Sequence, residues 1–262
     1  MQYISSSQNP RIKSLKALAT QAKARRESDA TLLEGVHLTQ AYLEAGLRPE
    51  VCVVGEGDLD DSEVSLILKK CQTLSVEILT VPSSLFHSFS SVRNGIGIMF
   101  LINTPQLEVQ RTLQLDAVLL DGIQDPGNLG AILRTAAAAN IDEVFCSVDT
   151  TAAWSPKVLR AGMGAHFGLK IYEQVDLGEI INQAEIPVYA TTLEATTTIY
   201  EADLIAKSAW LVGNEGQGVS RALLKSNVSQ VIIPQSSAVE SLNVAAATAV
   251  CLFEQLRQRQ YR

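Results

Sequence analysis

No run of about eighteen uninterrupted apolar residues occurs in the 262 residues, so no membrane-spanning helix is expected. The opening MQYISSSQNPRIK has no apolar stretch ahead of a cleavage site, which argues against a secretion leader. Cys52, Cys71, Cys146 and Cys251 stand far apart without a CxxC pair. That spacing argues against a structural zinc site and a disulfide framework, and points to a reduced, cytoplasmic setting. His37, His87 and His166 are scattered without metal-ligand spacing, so no metal is expected. There is no Walker loop, and Ser236, Ser237 and Ser241 sit in no nucleophile-elbow sequence, which leaves hydrolase chemistry unsupported. Gly162–Gly168 (GMGAHFG) resembles a dinucleotide fingerprint, but its third glycine is misplaced and no strand is expected to run into it. A Rossmann-type oxidoreductase is correspondingly disfavoured.

Hydrophobic residues make up 47% of the chain and charged residues 19%, a balance that supports a packed core. The length suits two domains. The net charge of −7 hides an asymmetry. Residues 1–26 carry Arg11, Lys13, Lys16, Lys23, Arg25 and Arg26 and no acid, whereas the remainder has 15 basic against 28 acidic side chains. This basic arm either contacts phosphates locally or forms a solvated face of an amphipathic helix.

Ile12, Leu15, Leu18 and Ala19 have helical spacing, and the first hundred residues then alternate strand and helix. Strands are expected at 31–33, 51–54, 76–79 and 97–102, with helices at 36–45 and 63–71. Pro105 and the polar stretch 106–114 read as a linker. From Leu115 a second α/β pattern begins: a buried strand in DAVLL, a helix from near Asn128, and strands at 143–147, 187–191, 209–212 and 230–233. A final helix runs from about Asn243 to Arg259. Such alternation implies a mostly parallel sheet with helices on both faces.

In such a sheet, ligands sit beyond the carboxyl ends of the strands. Three turns rich in Gly, Asn, Ser and Pro end strands here: 121–130, 213–218 and 233–243. Asn128 and Asn243 are natural caps for the helices that follow. Arg134 lies on an otherwise small, apolar helix surface. Its guanidinium calls for a carboxylate, phosphate or carbonyl partner, with Asp142 or Glu143 as ordinary ion-pair candidates.

In this order, LLDGIQDPGNLGAILRTAAAANIDEVF, LVGNEGQGVS and IPQSSAVESLNVAAATAVCLFEQLRQ resemble the signature of the SpoU/TrmH family of RNA ribose methyltransferases, within the SPOUT superfamily. ISSSQNPRIKSLKAL and TLLEGVHLTQAYLEAG resemble that family's ribosomal-protein-like substrate-binding module. Gln235-Ser236-Ser237 departs from the Met and Gly common among relatives. The resemblance implies an RNA substrate-binding domain over 1–104, a linker over 105–114, and an α/β domain with a trefoil knot over 115–262. It implies S-adenosylmethionine as cofactor, with Thr191, Gly213, Glu215, Gly216, Ile233, Leu242 and Asn243 around it. Asn128, Arg134, Glu215, Ser241 and Asn243 match the family's active-site positions, and Arg11, Lys13, Lys16, Arg25 and Arg26 are candidate RNA contacts. A homodimer is implied, with part of each site supplied across the interface. The last helix, apolar at Val244, Ala247, Val250, Cys251 and Phe253, is either an interface element or intramolecular core. The expected activity is 2′-O-ribose methylation of structured RNA, with a guanosine of large-subunit ribosomal RNA favoured over transfer RNA. A catalytically silent RNA-binding or ribosome-assembly protein is the alternative. Glu215 either holds the cofactor loop or pairs with Arg134.

Overall fold

The computed structural model describes residues 1–92, 95–108, 112–238 and 240–260. The chain forms two compact units. One comprises Met1–Gln106 with Trp154–Phe167, and the other Leu107–Ala153 with Gly168–Arg262. Of the expected linker, residues 109–111 lie outside the described residues, while Leu113 is already core of the second unit, bridged to Ala184.

In the first unit the chain runs β1 (Gln2–Tyr3), α1 (Pro10–Thr20), α2 (Ala22–Ser28), β2 (Ala30–Glu34), α3 (Val36–Glu44), β3 (Val51–Gly55), α4 (Ser62–Thr73), β4 (Glu77–Val81), α5 (Ser83–His87) and β5 (Ile98–Asn103). The sheet order is β1-β4-β3-β5-β2, with β5 antiparallel to both of its neighbours. Ile12, Leu15 and Leu18 on α1 bury against Leu32, Val53 and Leu79, as their spacing requires. The basic arm is two helices rather than one. Gln21 is extended, and its N–H caps α1 at the Ala17 carbonyl. The strand expected at 76–79 is displaced to Glu77–Val81, because Ser75 takes φ +54 to leave α4 and the register pairs Val51–Gly55 with Glu77–Val81.

The second unit contains β6 (Ala117–Asp121), α6 (Pro126–Ala138) and β7 (Glu143–Ser147). The chain next forms α7 (Pro156–Gly162), which belongs to the first unit. It resumes the second unit with β8 (Lys170–Val175), α8 (Leu177–Asn182), β9 (Val188–Thr191), β10 (Ala209–Gly213), α9 (Arg221–Leu224), β11 (Ser229–Val231) and α10 (Val244–Gln260). Among the described residues the sheet has six strands in the order β11-β9-β10-β6-β7-β8, every pair parallel. From β6 the sheet extends through β7 and β8 on one side and through β10, β9 and β11 on the other, a reversal of the kind beside which ligands bind in open parallel sheets. β8 has no counterpart in the sequence pattern. Its alternation breaks at Gln174, which takes φ +57 where the register with β7 shifts. The last strand ends at Val231, two residues before its expected end, since Ile232 bridges to Thr198 instead.

The helix expected from Asn128 begins two residues earlier. Asp125 is the cap, accepting from the Asn128 N–H at 2.9 Å, and Pro126 occupies the first turn. Asn128 is therefore inside α6, and its side chain is released for other partners. Asn243 does cap α10, accepting from the N–H groups of Ala245 and Ala246.

α10 is tied down at its far end by the carboxylate of Asp116, at the foot of β6. Asp116 accepts from both terminal nitrogens of Arg259 at 2.8 and 2.9 Å, from Gln255 Nε2 at 3.1 Å and from the Ser208 N–H at 3.0 Å. Both partners of this ion pair are largely buried. Asp116→Ala would strand the guanidinium and the buried N–H. The expected loss is about 3–5 kcal/mol of unfolding free energy, the usual cost of removing one member of a buried pair, read by urea denaturation. A loss below about 1 kcal/mol would show that the network is dispensable.

Candidate active site

The cavity of the second unit has a volume of about 400 Å3 and lies at the carboxyl ends of β9, β10 and β11. Thr191 ends β9, Gly213 ends β10, and Ile233 follows β11 by two residues. All three line it, together with Glu215, Gly216, Ser241 and Leu242. The segment 191–194, the turn 213–218 and the turn 233–242 thus share one space. Val239 of the last turn lies outside the described residues.

The turn at 213–218 is closed by Asn214 N–H to Gly218 O at 3.0 Å and Gly218 N–H to Asn214 O at 2.9 Å. This closure brings the backbone so near Gly213 that an added Cβ would stand 2.0 Å from the Gly218 carbonyl carbon and from the Val219 nitrogen. No side chain fits there. Asn214, absent from the sequence-derived candidates, organises the turn. Its Oδ1 accepts from the N–H groups of Gly216 and Gln217, and its Nδ2 donates to the Gly122 carbonyl at 2.8 Å. An Asn between glycines at a strand end is the available sequence signal for such an Asx turn. Asp121, also absent from those candidates, accepts from the Ser220 N–H at 2.8 Å. The polar turn at Gln235-Ser236-Ser237 closes on itself, with Gln235 Nε2 donating to the Glu240 carbonyl and Ser236 accepting from the Ala238 N–H.

Glu215 joins the cavity to the first glycine-rich turn, which is not itself part of the cavity wall. Its carboxylate accepts from the N–H groups of Gln124 at 3.3 Å and Asp125 at 3.2 Å, and from Asn128 Nδ2 at 3.0 Å. Asn128 Oδ1 in turn accepts from Asn243 Nδ2 at 2.9 Å. Three residues separated by up to 115 positions thus form one chain, Glu215–Asn128–Asn243. Partial burial pushes the Glu215 carboxyl up, but the Asn128 amide and the surrounding backbone N–H groups outweigh it and hold the pKa below its ordinary value. The sign follows from linkage. A carboxyl depressed in the folded state contributes stability above its unfolded pKa, about 4.3, and loses it as pH falls through the lower folded value. Glu215→Gln is expected to flatten this acid limb of the stability profile and to weaken occupation of the cavity at neutral pH. Unfolding melts from pH 3 to 7 check it; an acid limb identical to wild type would remove Glu215 as its source.

Arg134 lies apart from this chain. Six residues beyond Asn128, it is rotated by about 120° around α6. It is exposed, has no hydrogen bond or ion pair among the described residues, and does not line the cavity. Of the two ordinary partners considered for it, Glu143 is buried and takes Lys170 at 3.4 Å and the Tyr172 hydroxyl at 3.3 Å instead, and Asp142 forms no ion pair with it among the described residues. Glu215 binds Asn128, not Arg134.

Among the basic candidates of the first unit, Arg11 pairs with Glu77, which also raises its pKa. Arg25 donates to the Leu18 carbonyl at 2.7 Å, half-buried. Lys13, Lys16 and Arg26 are exposed and without a partner among the described residues. The glycine segment 162–168 holds the end of α7 and a short 3-10 turn with no strand feeding it; residues 162–167 belong to the first unit and Gly168 to the second. The four cysteines are free and buried, and the described residues include no cluster of three metal-ligating side chains and no helix long and apolar enough to cross a membrane.

A family model described as the SpoU rRNA Methylase family matches residues 117–253, and one described as an MRM3-like substrate binding domain matches residues 9–99. The chain is 33% identical over 263 residues to an uncharacterized tRNA/rRNA methyltransferase of Synechocystis sp., an alignment covering 98% of this chain and 94% of the relative. It is 30% identical over 258 residues to the 23S rRNA (guanosine(2553)-2'-O)-methyltransferase RlmP of Bacillus subtilis, covering 97% and 98%. The crystal structure of an AdoMet-bound rRNA methyltransferase from Sinorhizobium meliloti matches with a TM-score of 0.83 at 25% identity, covering 100% of this chain and 99% of that one.

Proposed function

Since the chain belongs to the SpoU rRNA methylase family, we propose that it binds S-adenosylmethionine in the cavity beyond β9–β11 and methylates a ribose 2′-hydroxyl of structured RNA. The observation that carries this reading is the cavity itself. Six of the seven expected cofactor residues, Thr191, Gly213, Glu215, Gly216, Ile233 and Leu242, line it, and Asn243 follows directly. At about 400 Å3 it is within the usual size range of small-molecule sites, and the glycine backbone permits close approach of a flat base.

Bound S-adenosylmethionine would supply an activated methyl group on a sulfonium, so the residues' work is placement and charge. Glu215 and Asn243 hold Asn128 and keep the first and second turns in register. Ser241 and Leu242 cover the cavity from the last turn. Arg134 binds a phosphate beside the target ribose and stabilises the developing alkoxide. A guanidinium stays protonated near neutrality and is a poor base, so the hydroxyl proton leaves to that phosphate or to water. Since Arg134 lies on another face of α6 from Asn128, a site shared across a homodimer accounts for its position, with the exposed Phe253 on α10 as an interface element. Residues 1–104 serve as the RNA-binding domain, with Lys13, Lys16 and Arg26 available to phosphates. The domain over 115–262 carries the trefoil knot of the family, and the protein works in the cytoplasm. Ribosomal RNA, at a large-subunit guanosine as in the Bacillus subtilis relative, is favoured over transfer RNA.

The test is methyl transfer from labelled S-adenosylmethionine to ribosomal and transfer RNA, followed by mapping of 2′-O-methyl positions. Labelled ribose in ribosomal RNA is the expected result. Label in transfer RNA alone overturns the substrate, and failure to bind S-adenosylmethionine overturns the activity in favour of a silent RNA-binding protein.

A further inference from the structure

The cavity wall carries more negative than positive charge. Glu194, Glu215 and Glu240 line it, and Arg221 is the one cationic side chain lining it among the described residues. Glu215 is occupied by Gln124, Asp125 and Asn128. Arg221 opens α9 and is exposed; it makes no hydrogen bond or ion pair among the described residues, although Glu194 and Glu240 line the same cavity. No protein group within the described residues engages this guanidinium, which leaves it available to an anionic group of a molecule in the cavity.

We propose that Arg221 binds the α-carboxylate of the methyl donor and thereby reads the amino-acid end of the cofactor. This rests on the cavity being the donor site. S-adenosylmethionine bears a sulfonium, an ammonium and a carboxylate, a net charge of +1. Among the described side chains that line the cavity, three carboxylates suit the donor's two cations, and Arg221 is the one charged group that suits its anion. The planar guanidinium fork matches a carboxylate with two parallel N–H···O bonds, which the point charge of a lysine does not reproduce. The adenosine end carries no full charge, so discrimination between the whole donor and its fragments falls on Arg221. It is a specificity residue for the cofactor, distinct from the groups placed around the ribose.

The test titrates the full-length protein and Arg221→Gln by calorimetry with two probes. One is S-adenosylhomocysteine; the other is its decarboxylated analogue, which keeps the adenosine, thioether and ammonium. Arg221→Gln is expected to weaken S-adenosylhomocysteine about tenfold or more, the range for hydrogen bonds to charged groups. It should leave the decarboxylated analogue unchanged or slightly tighter, because a cation near the ammonium has gone. Arg221→Lys should fall between. Equal weakening of both probes overturns the proposal and makes Arg221 a support of pocket shape. Unchanged affinity for S-adenosylhomocysteine with a raised KM for RNA also overturns it, making Arg221 a phosphate contact. A wild-type protein that binds neither probe sinks the donor-site reading itself, so the two failures are distinguishable.

Discussion

Gly213→Ala is expected to abolish binding of the methyl donor and to destabilise the second unit by more than about 3 kcal/mol. Ordinary overpacking in a core costs about 1–3 kcal/mol because side chains can shift. Here the added methyl would meet backbone: the Gly218 carbonyl carbon and the Val219 nitrogen, each 2.0 Å away. Those atoms are held by the Asn214–Gly218 pair and by Ser220 on Asp121, so the turn must open to admit a Cβ. The same turn supplies Glu215 and Gly216 to the cavity, and opening it removes both. Gly216→Ala is the control. A Cβ there meets nothing nearer than Asn214 Oδ1 at 3.6 Å, and near-wild-type stability is expected. Thermal melts and calorimetric titration with S-adenosylmethionine read both variants. A Gly213→Ala protein that binds the donor normally would show that the turn adapts and that its tightness has no role in the site.

Arg134→Ala is expected to separate binding from turnover in the opposite way. Arg134 does not line the cavity, so donor affinity should stay within about twofold, while methylation of RNA falls by roughly 10²–10³-fold, the usual effect of removing one donor that stabilises a developing oxyanion. Arg134→Lys should recover little, because it keeps the charge and loses the fork. Single-turnover methylation with excess enzyme separates chemistry from RNA release. Near-normal turnover in Arg134→Lys would refute bidentate phosphate binding. If sites are shared between subunits, mixing inactive Arg134→Ala and Glu215→Ala chains should restore part of the activity.

The reading of individual elements depended on how local their cause is. The α1 triplet Ile12, Leu15 and Leu18, the strand Glu143–Ser147 and the Asn243 cap were legible, because each follows from spacing or from a side chain bonding to backbone within a few residues. The cap at Asp125 was mistaken for Asn128 because both residues can cap and Pro126 lies between them. β8 was missed because a bulge at Gln174 breaks the alternation that marks a strand. The packing of Trp154–Phe167 in the first unit, where the Thr31 hydroxyl donates to the Trp154 carbonyl, depends on partners 123 positions apart and has no local signature.

From residue order alone came the class of fold, the three glycine- and asparagine-rich turns and the family resemblance that they carry, because strand periodicity, glycine-rich turns and cap chemistry are short-range properties of the chain. Three-dimensional packing was needed to show that Glu215, Asn128 and Asn243 form one hydrogen-bonded chain, that Arg134 sits outside it, and that Asn214 and Arg221 belong to the same cavity. Those relations are set where parallel strands place distant carboxyl ends side by side, and no periodicity along the chain encodes which loops will meet there.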